Sequence, residues 1–355
     1  MEDRLQVAVV RMGLGCAAVL AAAGWAGAQP VALPPAPAGV EVTREQGFEF
    51  VTVRGGGQQW TAPQYDPFFG TAPRFGAVPF DYRISRTEVT VADFVDFFNV
   101  LSTRPSQLPA VTAVRVDVRS GPTMGLVEDL SYSGPGVRWQ VAAGQDNLPI
   151  DGVSWYTAAM FCNYLHNDRL PTMDAVLSGA YDLRLFSDGQ AEPRSHSPNA
   201  RFWIPSADQW YRAAYYDFNN SMWRETPTPT GDPLIYGLPG IGEAGAGIYG
   251  YLPVGQYPVQ SPWGMLDAAG SVPEWTEFAW PIQDPSWPVS GRMVVGSGFY
   301  NAPELAGYLD RLGNYQFFWP VSGAGIRLAA AIPTPSSFVV FLLFSVCSFN
   351  RRRSA

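Results

Sequence analysis

The chain has 355 residues, enough for one large domain or two small ones. Its 36 glycines and 32 prolines are about a fifth of the total, below the range of a disordered composition, so it reads as loop-rich and globular. All 23 cationic residues are arginine and the formal charge is −8; phosphate binding needs a basic face, so nucleic acid is excluded as a partner.

In chain order, the first feature is a secretory signal over residues 1–28. Arg4 and Arg11 supply positive charge, residues 12–27 are largely apolar and small, and Ala26-Gly27-Ala28 is an A-x-A cleavage site before Gln29. Cleavage there discards Cys16. Residues 29–39 are proline-rich and read as a linker. The body, residues 40–331, contains no fixed-period repeat and no dividing linker, so it is taken as one domain. Residues 40–53 and 81–87 alternate and are β-rich, which predicts strands, with Gly55-Gly56-Gly57 as a turn between strands.

Three helices follow. Thr90 caps the first, with Asp93 three residues on and Phe94, Phe97, Phe98 and Leu101 on one face. Ser154 caps the second, whose stripe is Trp155, Ala158, Ala159, Cys162 and Leu165. Ser206 and Gln209 make a capping box for the third, ahead of Trp210, Ala213, Ala214 and Tyr215. Few helices alternating with strands and many loops predict an α+β domain. Trp155, Trp210 and Trp275 are expected in its core. Glu88 and Arg327 are expected as a structural ion pair.

The tail, residues 332–355, holds a twelve-residue apolar run, 338–349, followed by Arg351-Arg352-Arg353. Twelve helical residues span about 18 Å against a hydrocarbon core of about 30 Å. The arginines are expected on the cytoplasmic side. Removing both ends takes the formal charge from −8 to −11 and leaves Cys162 as the one cysteine, so that product can form no internal disulfide.

The body resembles the formylglycine-generating enzyme (sulfatase-modifying factor) family along nearly its whole length. The resemblance is carried by Tyr82-Arg-Ile-Ser-Arg-Thr-Glu88-Val-Thr90, Pro149-Ile-Asp-Gly-Val-Ser-Trp155-Tyr156 and Phe202-Trp-Ile-Pro-Ser-Ala-Asp-Gln-Trp210. It continues in the signature Ser261-Pro-Trp-Gly-Met-Leu-Asp267-Ala-Ala-Gly-Ser271-Val-Pro-Glu274-Trp275-Thr-Glu277, then Gly296-Ser-Gly298-Phe299 and Gly325-Ile-Arg327-Leu-Ala329. The fold this implies is the family's elaborated C-type-lectin-like α+β domain. The tail's order of Pro-x-Pro, apolar run and basic end resembles the PEP-CTERM sorting tag of Gram-negative surface proteins, with Thr334 in place of the usual Glu.

Oxidases of the family hold cuprous ion on a late cysteine pair, suited to that soft metal. Here no cysteine lies between Cys162 and Cys347, so copper is not expected and no catalytic residue is assigned. A facial iron site needs two histidines and a carboxylate; His166 and His196 are the only histidines and read as surface residues. Family members also bind calcium near the Gly-Asn-Val-x-Glu-Trp turn. Glu274 matches that pattern and Ser271 replaces the Asn, which makes this pair the expected site of a structural calcium. The sequence thus predicts a non-catalytic surface or envelope protein, exported, held by its tail in the inner membrane until processed, then in the envelope or outside the cell. Its partners would be a surface ligand or envelope component and a sorting protease acting on the tail. The alternative is a formylglycine-generating-type oxidase that works without the thiol pair.

Overall fold

The computed structural model describes residues 31–59, 65–66, 70–71, 74–102, 125–134, 137–185, 195–248, 250–280, 291–299, 301, 315–318 and 324–333. The signal segment and the apolar tail run lie outside these residues. Among the described residues no helix is long and apolar enough to cross a membrane.

Residues 40–53 form a hairpin. β1 (Val42–Glu45) and β2 (Phe48–Val53) pair antiparallel from Val42↔Val51 to Glu45↔Phe48. Gln46 and Gly47 turn between them at φ 51° and 90°. Two consecutive positive φ angles match the right-handed twist of the strands. β3 (Tyr82–Ser85) continues the sheet on the far side of β2. Its next neighbour is the last strand of the domain, β12 (Ala329–Ala330), which also pairs with β6 (Phe202–Trp203). The order β1-β2-β3-β12-β6 therefore joins both ends and the middle of the chain in one antiparallel sheet.

Among the described residues there are four α-helices. α1 (Val91–Ser102) starts at a reciprocal cap: the Asp93 N–H donates to Thr90 Oγ1 (3.2 Å), and the Asp93 carboxylate accepts from the Thr90 N–H (3.1 Å). Phe94, Phe97, Phe98 and Leu101 are buried as the periodicity requires. β4 (Leu126–Glu128) and β5 (Trp139–Val141) form a hairpin packed on this helix by Trp139. α2 (Trp155–His166) is capped by Ser154, but its one-stripe reading needs correction: every residue except His166 is buried. Ala158 and Ala159 leave room for the chain on both sides, so the helix runs through the core rather than over it. α3 (Met173–Leu177), capped by Thr172, was not expected; five residues are too few to show a helical period. The buried Asn163 side chain joins it to α2, donating to Val176 and Tyr181 carbonyls (both 2.9 Å) and accepting from the Tyr181 N–H. α4 (Ala207–Tyr215) begins with the Ser206–Gln209 capping box.

The last quarter of the chain supplies a small second layer. β7 (Ala269–Ser271) lies parallel to β10 (Ser297–Gly298), and β8 (Glu274–Trp280) pairs antiparallel with β9 (Gly291–Val295), which pairs with β11 (Tyr315–Phe318). Residues 31–39, read as a linker, follow the body closely. The Pro34 carbonyl accepts from Arg86 (2.7 Å) and the Pro35 carbonyl from Gln260 (2.9 Å). Leu33 lies over Gly255, where an added Cβ would come within 2.5 Å of it. Fixed proline φ angles keep this strip extended with its carbonyls free to accept. The domain is α+β, loop-rich and poor in helix, as the sequence predicted.

Candidate functional site

The signature segment, Glu88 and Arg327 meet at one place. Residues after β3 carry Glu88 into the interior, the approach to β12 carries Arg327, and the turn before β7 carries Asp267 in the left-handed region, at φ 55°. Glu88 and Arg327 are 0% exposed and Glu274 is 1% exposed. Arg327 is paired mainly with Glu274: its Nε lies 2.9 and 2.8 Å from the two carboxylate oxygens, and its Nη2 2.7 Å from Oε1. The guanidinium also donates to the carbonyls of Ser85 (3.0 Å) and Leu266 (2.9 Å). Glu274 Oε2 accepts from Trp210 Nε1 at 2.6 Å. The expected Glu88–Arg327 pair is present only as a 3.7 Å approach. Glu274, sixty-odd residues from Trp210 and on another layer, is the partner that spacing did not reveal.

Burial alone would lower the Arg327 pKa, but the charges of Glu274, Glu88 and Asp267 reverse this and raise it. Burial lifts Glu88 well above the usual carboxylate range, and the charges of Asp267 and Glu274 add to it against Arg327. Burial also pushes Asp267 up to about 6, opposed by the Gly255 N–H and by Arg327.

Asp267 and Ser271 line a recess with Tyr251, Tyr257 and Gly270, which has room for about one water molecule. The Gly255 N–H donates to Asp267 Oδ2 (2.5 Å), and Tyr251 donates to Asp151 (2.8 Å) while its ring stands edge-on to Phe299. Ser271 is thus at this recess. Glu274 is behind it, with its carboxylate committed to Arg327 and Trp210. Among the described residues no group of three or more His, Cys, Asp or Glu is arranged to hold a metal ion.

The family's thiol positions fall after Phe299, in a stretch of which only residues 299, 301 and 315–318 are described. Cys162 lies in α2 with 0% exposure; burial, then the charge of Glu277, pushes its thiol well up, so it is not a ready thiolate. Trp155, Trp210 and Trp275 are all 0% exposed. The Trp155 and Trp275 indoles donate across the layers to Thr276 (3.1 Å) and Val153 (2.8 Å).

Neither histidine is a free surface residue, which corrects the sequence reading. His166 Nδ1 accepts from the Arg201 N–H (3.1 Å), and burial, then the Arg201 charge, lowers its pKa. His196 stacks on Trp203 with ring centroids 4.2 Å apart. Its Nδ1 lies 2.9 Å from Glu277 Oε1, its backbone N–H donates to the same oxygen (2.8 Å), and Tyr181 donates there too (2.6 Å). The contact joins residues 81 apart, which spacing along the chain does not reveal.

Residues 37–332 match the model of the sulfatase-modifying factor enzyme 1-like domain. No curated protein sequence matches the chain. Among solved structures, CarF aligns over 81% of this chain and 100% of its own at 18% identity, with a TM-score of 0.51, which shows a shared fold. Variable protein 1 of Treponema denticola aligns over 82% of this chain and 99% of its own (18% identity, TM-score 0.46). PvdO from Pseudomonas aeruginosa aligns over 82% and 98% (15% identity, TM-score 0.44). With its signature turn, its Glu and Arg anchors and the span of that match taken together, the chain belongs to the sulfatase-modifying factor enzyme 1-like family.

Proposed function

We propose that this protein is a non-catalytic member of its family, exported and used at the cell surface or envelope as a binding or structural module. The observation that carries the reading is chemical. A thiolate pair is what retains cuprous ion in an oxidase of this kind, and the sequence has no cysteine from residue 163 to residue 346. The remaining body thiol, Cys162, is sealed in a helix with its thiol form favoured. The signature turn meanwhile serves packing: Glu274 neutralises Arg327, and Trp275 closes against Val153. The partner is a surface ligand or envelope component, and a sorting protease acts on the tail. The test is a cuprous-ion titration of the purified protein, followed by incubation with a Cys-x-Pro-x-Arg peptide. Mass spectrometry should show the peptide cysteine unchanged. Formylglycine formation above a metal-free control would instead establish an oxidase that works without the thiol pair.

A further inference from the structure

After α4 the chain makes a short hairpin, in which Tyr216–Asp217 pairs antiparallel with Met222–Trp223. Phe218 roots its turn in the domain, with its ring centroid 4.3 Å from that of the buried Trp263. Asp217 closes the turn. Its Oδ1 accepts the N–H groups of Asn219 (2.9 Å) and Asn220 (3.2 Å), and its Oδ2 accepts from the Asn220 side chain (2.8 Å) and from Arg224 Nε (3.1 Å). These bonds fix the backbone and use the Asn220 amide. Asn219 and Ser221 are exposed at the apex, with Ser221 in the left-handed region at φ 52°. The Asn219 side chain has no hydrogen-bond partner among the described residues. Asn99, Asn163 and Asn167, by contrast, donate theirs to main-chain carbonyls. Asn219-Asn220-Ser221 is also the only Asn-x-Ser/Thr triplet in the whole sequence, and no proline interrupts it. On the surface of an exported protein such a triplet is an acceptor for N-linked oligosaccharide.

We propose that Asn219 is a glycosylation site, taking an oligosaccharide from a lipid pyrophosphate carrier. This rests on the export proposed above, because the transfer takes place outside the cytoplasm. In the step, the Asn219 amide nitrogen attacks the anomeric carbon of the first sugar. A C–N bond forms as the C–O bond to the carrier breaks. The lipid pyrophosphate leaves with the bonding electrons, and the amide gives up one proton to a base of the transferring enzyme. Nothing is oxidised or reduced. The Ser221 hydroxyl, two residues on, is the group by which such an enzyme holds the acceptor. The turn suits the product as well as the reaction. Asn219 and Ser221 are exposed and no core contact involves the Asn219 side chain, so a bulky, solvated sugar displaces nothing when the domain is folded.

The test is mass spectrometry on protein recovered from its native envelope. Trypsin cuts after Arg212 and Arg224, so residues 213–224 carry the site on one peptide. That peptide should be heavier by an oligosaccharide, and fragmentation should place the sugar on Asn219. Two variants separate recognition of the triplet from any other attachment. Asn219→Gln keeps an amide and removes the acceptor. Ser221→Asn removes the hydroxyl and puts a residue that tolerates the left-handed backbone in its place. Neither alters Asp217 or its bonds to the turn backbone, so both should reach the envelope folded, and both should lose the sugar entirely. Protein that has lost residues 1–28 but carries a bare Asn219 would overturn the proposal and leave export standing. A sugar found on Ser221, or one that persists in Asn219→Gln, would overturn it too. A bare protein that keeps residues 1–28 in the cytosol would overturn export and this site together.

Discussion

Removing the guanidinium from the core is the sharpest perturbation the structure offers. Arg327→Met keeps the length and apolar stem of the side chain but leaves Glu274 without its counter-charge and the carbonyls of Ser85 and Leu266 without donors. Breaking a buried ion pair by removing one member costs about 3–5 kcal/mol. An orphaned buried acceptor costs about 1–3 kcal/mol, but these losses overlap with the first and do not simply add. The loss at neutral pH should therefore be about 3–5 kcal/mol. Urea denaturation followed by circular dichroism measures it. The double variant Arg327→Met, Glu274→Gln keeps an acceptor for Trp210 and removes the stranded charge. It should therefore recover at least about 1 kcal/mol of the loss. A single-variant loss under about 1 kcal/mol, or strictly additive losses in the double variant, would mean that the pair does not organise this core.

Two other outcomes follow from packing and from the tail. Phe97 is 0% exposed, with its ring 5.1, 5.4 and 5.6 Å from those of Phe94, Phe161 and Tyr164; Phe97→Ala should cost about 3–5 kcal/mol in denaturant titration, and a loss under about 1 kcal/mol would contradict its place in the core. Intact mass of the protein recovered from its native envelope should lack residues 338–355 if the tail is a sorting tag and keep them if it is a plain anchor, whereas a cytosolic form that retains residues 1–28 would refute export.

Most of the fold was legible because its helices announce themselves locally. Thr90, Ser154 and Ser206 each cap a helix in the structure, and the apolar residues behind each recur at helical spacing. What failed was anything that depends on distant partners. The burial of α2 on every side follows from neighbours that a single helix pattern does not contain. The Gln46-Gly47 turn lacks the Asn-Gly or Asp-Gly pair that usually flags such a hairpin. The strip formed by residues 31–39 is held by Arg86 and Gln260, far along the chain. At the site, Glu88, Glu274 and Arg327 were all singled out, but the pairing was not. Which carboxylate meets a buried arginine is set by three-dimensional placement, with Glu274 and Arg327 53 residues apart. The Glu277–His196 contact spans 81 residues and was invisible for the same reason.

The position of β12 governs how the domain can assemble. Ala329 and Ala330 form the last strand among the described residues, yet they sit between β3 and β6 and hydrogen-bond to both. Until they leave the ribosome, β3 has only β2 beside it and the edge strand β6 has no partner in the sheet, and Arg327, two residues earlier, has not reached Glu274. Contacts of such long sequence separation make folding slow and keep strand edges open in the meantime. A nascent chain of this protein is therefore committed to remaining unfinished until almost its full body has been synthesised, which keeps it pliable for any machinery that must handle it unfolded.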